Sequence, residues 1–400
     1  MKKCVLAYSG GLDTTVAIRW LTETYGYDVT CLTVDLGEIK DPSVIRERAE
    51  IAGAKNVRII DAKDAFADGY LRPALFANAL YEGAYPLATA LGRPLMAALL
   101  VDVAREIGAE AVAHGCTGKG NDQVRFDVAV SALAPDLKVV APVREWAWSR
   151  EDEITWAQER GLLVPVTQES PYSVDANLWG RSAEGGILED PWVEPPEDAY
   201  AWTTSPDRWP IEAEEITIGF EKGVPTSLDG TPEGLVPLIT RVGELAGRHG
   251  VGRIDHIEDR LVGIKSREVY EAPAAEALIL AHRAAEALTL PKDLRHHKRQ
   301  IEEAFAQLVY DGLYMSPLMR ALLAYLDASQ ETVTAEVRLH LGHGAARVVG
   351  SRAEAALYRR DLATYGAGDA FDATSAKGFI EIWGLPLRSA AQARESIHGR

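Results

Sequence analysis

Two glycine-rich segments carry most of the residues in this chain that could do chemistry. The first glycine segment, residues 7–15, reads Ala-Tyr-Ser-Gly-Gly-Leu-Asp-Thr-Thr and follows a short apolar run. Adjacent glycines permit positive φ and leave backbone N–H groups accessible, and Ser9, Thr14 and Thr15 add hydroxyl donors at an expected helix N terminus. The segment lacks the lysine of a P-loop and the spacing of a dinucleotide-binding loop. It therefore predicts an anion-binding loop of another kind.

The second glycine segment, residues 115–125, reads Gly-Cys-Thr-Gly-Lys-Gly-Asn-Asp-Gln-Val-Arg and also follows an apolar run. Its glycines let a ligand approach the backbone, and Thr117 and Asn121 can bond a carboxylate or an ammonium group. Asp122 suits a cation and Arg125 suits a carboxylate. The pattern predicts an amino-acid site. The alternative is a glycine-rich turn in which Asn121 or Asp122 caps the next helix.

The first glycine segment also has a plainer interpretation, a tight turn in which Asp13 or Thr14 caps the helix. Its full string after an apolar strand, however, resembles the pyrophosphate-binding loop of ATP pyrophosphatases. Both glycine segments together resemble the argininosuccinate synthase family. Further stretches agree in order with that family: residues 81–87, 92–94, 173–177 with Ser182, and 258–267 with Tyr270.

The resemblance implies a reaction in which citrulline, aspartate and ATP give argininosuccinate, AMP and pyrophosphate, with Mg²⁺ on the phosphates. It implies ATP contacts at Ala7, Tyr8, Ser9, Gly10, Gly11, Leu12, Asp13, Thr14, Thr15, Val34 and Gly115. It implies citrulline contacts at Tyr85, Asn121, Arg125, Ser173, Ser182, Glu258 and Tyr270, and aspartate contacts at Thr117, Asn121 and Asp122. Asp13 and Asp122 are the catalytic candidates, the proton acceptor stays unassigned between them and a phosphate oxygen, and no side chain is predicted to be a metal ligand.

The sequence departs from the family pattern at three positions. Ala90 stands where many members have a serine, so a serine contact to citrulline is missing there. Val34 replaces a frequent alanine, which a backbone contact to adenosine would tolerate. Glu38 replaces a frequent glutamine, and its role is open.

Other reactive residue types are expected to be structural. His114 precedes the second glycine segment and is expected to be a hydrogen-bonded strand-end residue. The pairs 340/343 and 296/297 are histidines without a carboxylate or cysteine at ligand spacing, so no metal site is expected there. Cys116 has no neighbouring cysteine that would make it a sulfur carrier.

Composition narrows the class of protein. Lys and Arg total 42 against 59 Asp and Glu, a net charge of −17, which disfavours a nucleic-acid partner. Three cysteines are too few for a disulfide framework, and no apolar run approaches the ~20 residues of a membrane span. We therefore expect a cytoplasmic protein with no membrane partner.

Strand-like and helix-like patterns alternate in the first half, which predicts an α/β domain with a parallel sheet between helices at 1–166. The proline- and tryptophan-rich stretch 167–210 has little periodicity and is expected to be an ordered crossover. Mixed patterns then predict an α+β synthetase and multimerisation domain at 167–371. A C-terminal helical arm at 372–400, together with the family resemblance, implies a homo-oligomer, and a tetramer in particular.

Two rival functions fit the same first domain. The first rival is another adenylating pyrophosphatase. A tRNA thiolase would require a basic surface and a cysteine pair, and an amidotransferase-coupled synthetase would require a glutaminase domain. A nucleotide sensor on the same fold would bind ATP without releasing pyrophosphate.

Overall fold

The computed structural model describes residues 2–39, 41–163 and 172–398. Its first part alternates strands and helices as the sequence predicts. The elements are β1 Lys2–Ala7, α1 Leu12–Tyr25, β2 Tyr27–Asp35, α2 Pro42–Ile51, β3 Asn56–Asp61, α3 Lys63–Phe66, α4 Arg72–Phe76, α5 Ala88–Ile107, β4 Ala111–Ala113, α6 Asp122–Leu133, β5 Lys138–Val140, α7 Pro142–Trp146 and α8 Arg150–Glu159. The five strands form one parallel sheet in the order β3-β2-β1-β4-β5, which confirms the predicted fold class.

Both faces of this sheet are buried, which explains the continuous apolar sequence of β1. Val5 packs with Leu32 on one face, whereas Leu6 packs with Val29 on the other. A parallel sheet covered by helices on both sides leaves its ligand-binding loops at the carboxyl ends of the strands. Both glycine segments begin at that edge, since one follows β1 and the other follows β4.

The sequence pattern predicts a helix from Pro94 to Ile107, whereas helix α5 already starts at Ala88. Proline usually marks a helix start, since it lacks the N–H that an interior position needs. Here Pro94 lies inside the helix, and buried residues before and after it, such as Leu91 and Leu95, hold the helix against the core.

The second part contains β6 Ser173–Asn177, β7 Gly180–Glu184, β8 Glu214–Glu221, β9 Val224–Leu228, β10 Thr231–Pro232, α9 Leu235–Arg248, β11 Arg253–Asp259, β12 Lys265–Glu271, α10 Pro273–Thr289, α11 Lys292–Tyr310, α12 Pro317–Ser329, β13 Ala335–Gly342 and β14 Ala345–Arg352. One sheet has the order β10-β9-β8-β13-β14 and the other β11-β12-β7-β6. The stretch 167–210, expected to be an ordered crossover, contains the hairpin of β6 and β7, and its portion at 167–171 lies outside the described residues.

The chain divides into two compact units, 1–355 and 356–400. The second unit contains α13 Arg360–Ala363, α14 Ser375–Trp383 and α15 Leu385–His398. Apolar side chains of α14 are largely exposed within this unit, namely Phe379, Ile380, Ile382 and Trp383. Within the described ranges, no helix has the length and apolar character that a membrane crossing requires.

Candidate active site

The first glycine segment forms a cradle between β1 and α1. Gly10 has φ +80°, which glycine adopts without strain, and Gly11 is the N-cap residue of α1 with no side chain capping the helix. The alternative in which Asp13 or Thr14 caps this helix is therefore wrong. The uncapped N–H groups at the start of α1 remain available to an anion.

Hydroxyl groups shape this cradle from two sides. Ser9 Oγ lies 3.1 Å from Thr14 Oγ1 and accepts the Gly11 N–H at 3.3 Å. On the inner side, Thr15 Oγ1 donates to the Gly11 carbonyl at 2.7 Å and lies 3.1 Å from the Tyr8 hydroxyl. Tyr8 and Thr15 are buried, and their hydroxyls stabilise the loop from the protein interior. The hydroxyls of Ser9 and Thr14 line the loop.

The second glycine segment packs directly against the first. A Cβ atom at Gly115 would lie 2.7 Å from Thr14 Cγ2, closer than real side chains approach. Only glycine therefore allows the chain leaving β4 to meet the start of α1. This contact brings the predicted anion loop and the predicted amino-acid loop together.

We expect Gly115→Ala to raise the KM for ATP about tenfold, because the added methyl group must displace Thr14 from its hydrogen bond with Ser9. Steady-state kinetics with ATP varied would measure it. Gly118→Ala is the matched control, since its Cβ would lie 3.9 Å from Arg144 Cγ, an ordinary contact. Equal ATP KM values in the two variants would contradict the prediction.

His114 stabilises the second glycine segment and is not a free base. Its Nδ1 accepts the Cys116 N–H at 3.2 Å, so the proton of the neutral ring is on Nε2, which donates to Asp127 Oδ1 at 2.7 Å. The expectation of a hydrogen-bonded strand-end histidine is confirmed. Burial raises the pKa of the Cys116 thiol, which opposes a reactive thiolate.

Asp122 lies between two guanidinium groups. Arg93 Nε donates to its Oδ2 at 2.9 Å and Arg125 Nη1 donates to its Oδ1 at 2.8 Å. Burial alone would raise the pKa of Asp122, but Arg93 and Arg125 outweigh it and lower the pKa to about 2. Arg93 also pairs with Asp175 on β6 and so joins the first domain to the four-stranded sheet.

One guanidinium nitrogen of Arg125 is available for a ligand. Its Nε donates to the Tyr310 carbonyl oxygen at 3.0 Å and its Nη1 is held by Asp122, whereas Nη2 is buried without a partner among the described residues. A buried guanidinium nitrogen without an acceptor is costly. The arrangement fits a site that a substrate carboxylate completes.

Three other citrulline candidates form a contiguous cluster. The rings of Tyr85 and Tyr270 stack with centroids 4.1 Å apart, and the Tyr270 hydroxyl donates to Glu258 Oε2 at 2.7 Å. Burial raises the pKa of both tyrosines, so both hydroxyls stay protonated donors. Glu258 is only 4% exposed, so any cation that it binds must replace contacts that it now makes with protein.

Ser173 and Ser182 lie on the same face of the four-stranded sheet. Ser182 is directly opposite Tyr270 across β7 and β12, and opposite Asp175 across β6 and β7. Ser173 is opposite Glu184. Directly paired residues of antiparallel strands share a face. The face therefore presents hydroxyls and carboxylates together next to the Arg93 and Asp122 pair.

The residues expected to bind the substrate aspartate differ in their exposure. Thr117 is exposed in the second glycine segment. Asn121 is buried, its Nδ2 donating to the Tyr310 hydroxyl at 2.8 Å and its Oδ1 accepting the Leu261 N–H at 2.9 Å. A substrate contact of the Asn121 amide must therefore share or replace these bonds.

Asp13 has a neighbour that the sequence does not reveal. Glu153 of α8 accepts from Trp146 Nε1 at 3.1 Å, and its Oε2 is buried without a well-formed hydrogen bond within the described part of the chain. Burial raises the pKa of Glu153 to about 8, and the nearby Asp13 carboxylate adds to the rise. In the folded protein Glu153 thus holds a proton at neutral pH.

We expect Glu153→Gln to flatten the fall of unfolding free energy with rising pH. A raised folded-state pKa means that the native state binds more protons than the unfolded chain between the usual carboxyl pKa and about 8, so stability is lost across that window. Glutamine mimics the protonated form, and the variant should be more stable by roughly 2 kcal/mol at pH 9. Urea unfolding at pH 5 and pH 9 measures this difference, with the exposed Glu151→Gln as control. Identical pH slopes in all three proteins would contradict it.

Cation ligands are sparse on the protein itself. Across the described ranges, no group of three or more His, Cys, Asp or Glu side chains could hold a metal ion. His340 instead bonds Arg347, with its Nδ1 2.9 Å from Nη2.

Four residues of the site did not emerge as candidates from the sequence: Arg93, Asp175, Glu153 and Tyr310. Arg93 and Asp175 lie within stretches that resemble the family, but nothing in the local pattern indicates their pairing. Glu38, whose role was open, lies beside Asp175, and burial followed by that carboxylate raises its pKa to about 7. For Arg93, which lies in the second turn of α5, the one available signal was a charged residue inside a largely apolar helix.

Comparison with known proteins matches both parts of this architecture. The model of the arginosuccinate synthase N-terminal HUP domain matches residues 3–163, and that of the arginosuccinate synthase C-terminal domain matches residues 172–390. The argininosuccinate synthase of Symbiobacterium thermophilum is 57% identical over 99% of both chains. That of Brevibacillus brevis is 54% identical over 99% of this chain and 94% of its own. Because these two family models together match most of the chain and full-length relatives are 54–57% identical to it, the chain belongs to the argininosuccinate synthase family.

Proposed function

We propose that this chain catalyses the ATP-dependent condensation of citrulline with aspartate to argininosuccinate, releasing AMP and pyrophosphate, in arginine biosynthesis. The observation that carries the proposal is the contact of Gly115 with Thr14, because it joins the segment proposed for the amino acids to the segment proposed for the phosphates. Family membership supports the same reaction. We expect the enzyme to act in the cytoplasm.

The ATP site is proposed at the first glycine segment with Val34 and Gly115. The N–H groups at the start of α1 and the hydroxyls of Ser9 and Thr14 would hold the leaving pyrophosphate. Mg²⁺ would arrive on the nucleotide, where it neutralises phosphate charge. Asp13 is the carboxylate of this loop and would assist in handling the metal or the pyrophosphate.

The citrulline site is proposed around Arg125 and Glu258. The Nη2 of Arg125, which has no partner in the residues that the structure describes, suits the α-carboxylate, and the Glu258 carboxylate suits the α-ammonium group. The remaining candidates, Tyr85, Asn121, Ser173, Ser182 and Tyr270, would complete the pocket. Aspartate would bind at Thr117, Asn121 and Asp122, with the ionised Asp122 facing its ammonium group.

The chemistry proceeds in two displacements. The ureido oxygen of citrulline attacks the α-phosphorus of ATP, and pyrophosphate leaves to give a citrullyl-adenylate. The aspartate amine then attacks the ureido carbon, loses a proton, and expels AMP. Asp13, Asp122 or a phosphate oxygen would accept that proton. No protein nucleophile is required, so the site acts by positioning and by stabilising charge.

Pyrophosphate release from the purified protein with ATP and Mg²⁺ tests the proposal. We expect release to require citrulline, and sustained turnover to require aspartate as well. Binding of ATP without release under any combination would identify a nucleotide sensor. Release that depends on a different acceptor would retain adenylation and reject citrulline.

We further propose that the chain forms a homo-oligomer, a tetramer in particular, through its C-terminal helices. The support is the exposed apolar face of α14, where Ile382 is 71% and Trp383 is 75% exposed. A monomer rarely leaves such side chains uncovered together. Light scattering of the intact chain and of a chain ending before Asp372 would test this. The same number of chains per particle in the two proteins would contradict it.

A further inference from the structure

Tyr310, the last residue of α11, lies at the centre of the proposed citrulline site although no substrate contact is assigned to it. It is 1% exposed. Its hydroxyl accepts from Asn121 Nδ2 at 2.8 Å and donates to Glu258 Oε1 at 2.9 Å. The Glu258 carboxylate therefore receives one phenol on each oxygen, Tyr310 on Oε1 and Tyr270 on Oε2.

The hydroxyl of Tyr310 also fixes the orientation of Asn121. Because Asn121 Oδ1 accepts the Leu261 N–H, its Nδ2 must face the oxygen of Tyr310. One side-chain hydroxyl thus links a residue at the start of α6 to a residue of β11. Helix α6 connects β4 to β5 of the parallel sheet, whereas β11 belongs to the four-stranded antiparallel sheet.

The backbone of Tyr310 acts on a third residue. Its carbonyl oxygen accepts from Arg125 Nε at 3.0 Å, and its ring lies 5.0 Å from the Arg125 guanidinium carbon. Two residues later, a Cβ at Gly312 would lie 2.9 Å from Arg125 Cα. The chain after α11 therefore packs closely against α6 and holds the Arg125 side chain so that its Nη2 has no partner within the described part of the chain.

The ring of Tyr310 is itself immobilised. It stacks on Tyr81 with centroids 3.5 Å apart and an interplanar angle of 3°, and the Tyr81 hydroxyl donates to the Asp259 carbonyl at 3.0 Å. Burial, and then the adjacent Glu258, raise the pKa of Tyr310, so its hydroxyl stays a donor. A donor held this firmly can set the position of a carboxylate.

We propose that Tyr310 is a positioning residue that presets Glu258, Asn121 and Arg125 for citrulline. This inference rests on the proposed citrulline site. Tyr310 acts through these three residues and needs no contact with the substrate. Its hydroxyl sets the carboxylate and the amide, and its carbonyl sets the guanidinium.

Tyr310→Phe separates these contributions, because it removes the hydroxyl and keeps the ring stack and the carbonyl. We expect the KM for citrulline to rise about tenfold and the KM for ATP to change less than about twofold. Calorimetric titration with citrulline should show the same weakening. A merely structural role would lower the thermal midpoint and leave the KM values for all substrates equal to those of the wild type, which would overturn the inference.

Tyr314→Phe is the matched control. Tyr314 is another tyrosine close to Tyr310 in sequence, and its hydroxyl donates to the Gly69 carbonyl at 3.0 Å, outside the site. We expect unchanged KM values in this variant. Glu258→Gln distinguishes a failure of the proposed role of Tyr310 from a failure of the proposed citrulline site. If it raises the citrulline KM while Tyr310→Phe does not, the role of Tyr310 is rejected and the site stands; if neither variant affects citrulline, both are rejected.

Discussion

Replacement of Arg93 by methionine is expected to reduce turnover at saturating substrates by more than about 100-fold, the largest effect of any single change considered. Arg93 pairs with Asp122 and with Asp175 at once, and its side chain is 14% exposed. Methionine keeps much of the apolar stem of the side chain. It removes the positive charge that neutralises the carboxylates of Asp122 and Asp175. The pKa of Asp122 should rise from about 2, because Arg93 is the stronger of the two arginines that lower it.

Stability should fall in the same variant. Breaking a buried ion pair by removing one partner costs about 3–5 kcal/mol, and the partial exposure of Asp122 and Asp175 reduces that to about 2–3 kcal/mol here. Arg105→Met on the same helix is the control, since Arg105 pairs with Asp136 at the surface and its loss should cost less than about 1 kcal/mol. Denaturant unfolding and steady-state kinetics compare the two. Equal losses of stability or activity in both variants would refute the importance of the buried pair.

The sequence predicts the first sheet well for a physical reason. Each strand of a parallel sheet between helices is apolar on both faces, as in residues 4–6, and each helix has one apolar face. Strand-to-helix connections then place the glycine segments after β1 and β4 without knowledge of any contact. The same periodicity predicts helices at 273–289 and 293–310, and the structure has α10 at Pro273–Thr289 and α11 at Lys292–Tyr310.

The strands that carry the polar side of the site were harder to predict. In β6 and β7 the outward residues are serine, aspartate and glutamate, so a polar alternation stands where apolar runs usually mark strands. Their polarity fits the surface proposed to face the substrates, and equally a surface that faces solvent. Sequence periodicity cannot distinguish these two environments.

Long-range pairing was beyond the sequence altogether. Arg93 meets Asp175 across 82 residues, and Asn121 meets Tyr310 across 189. Nothing local in either stretch indicates a partner, because the spacing is set by how two sheets and α11 pack. The family resemblance names residues that are expected to contact substrates, whereas Arg93, Glu153 and Tyr310 contact or adjoin those residues.

The second large effect is expected at Glu258. Glu258→Gln should raise the KM for citrulline by about 30-fold, because a neutral amide loses the charge-assisted bond to the α-ammonium group. The KM for ATP should change by less than about twofold, since the nucleotide loop lies on α1 and not on β11. Glutamine is nearly the same size, and its carbonyl oxygen can still accept one of the two phenol hydrogen bonds from Tyr270 and Tyr310.

The neighbouring Asp259→Asn provides the control for this change. Asp259 is on the same strand but is exposed and paired with Lys265 at 2.5 Å, so its loss should alter neither KM. Initial rates with citrulline and ATP varied in turn would separate the two constants. Equal increases in the KM for citrulline and the KM for ATP would give Glu258 a role in the general architecture of the site. A rise confined to the KM for citrulline would assign Glu258 to the amino-acid substrate. Because Glu258 joins Tyr270 to Tyr310, that same rise would also mean that the β11–β12 hairpin and the end of α11 together form the citrulline pocket.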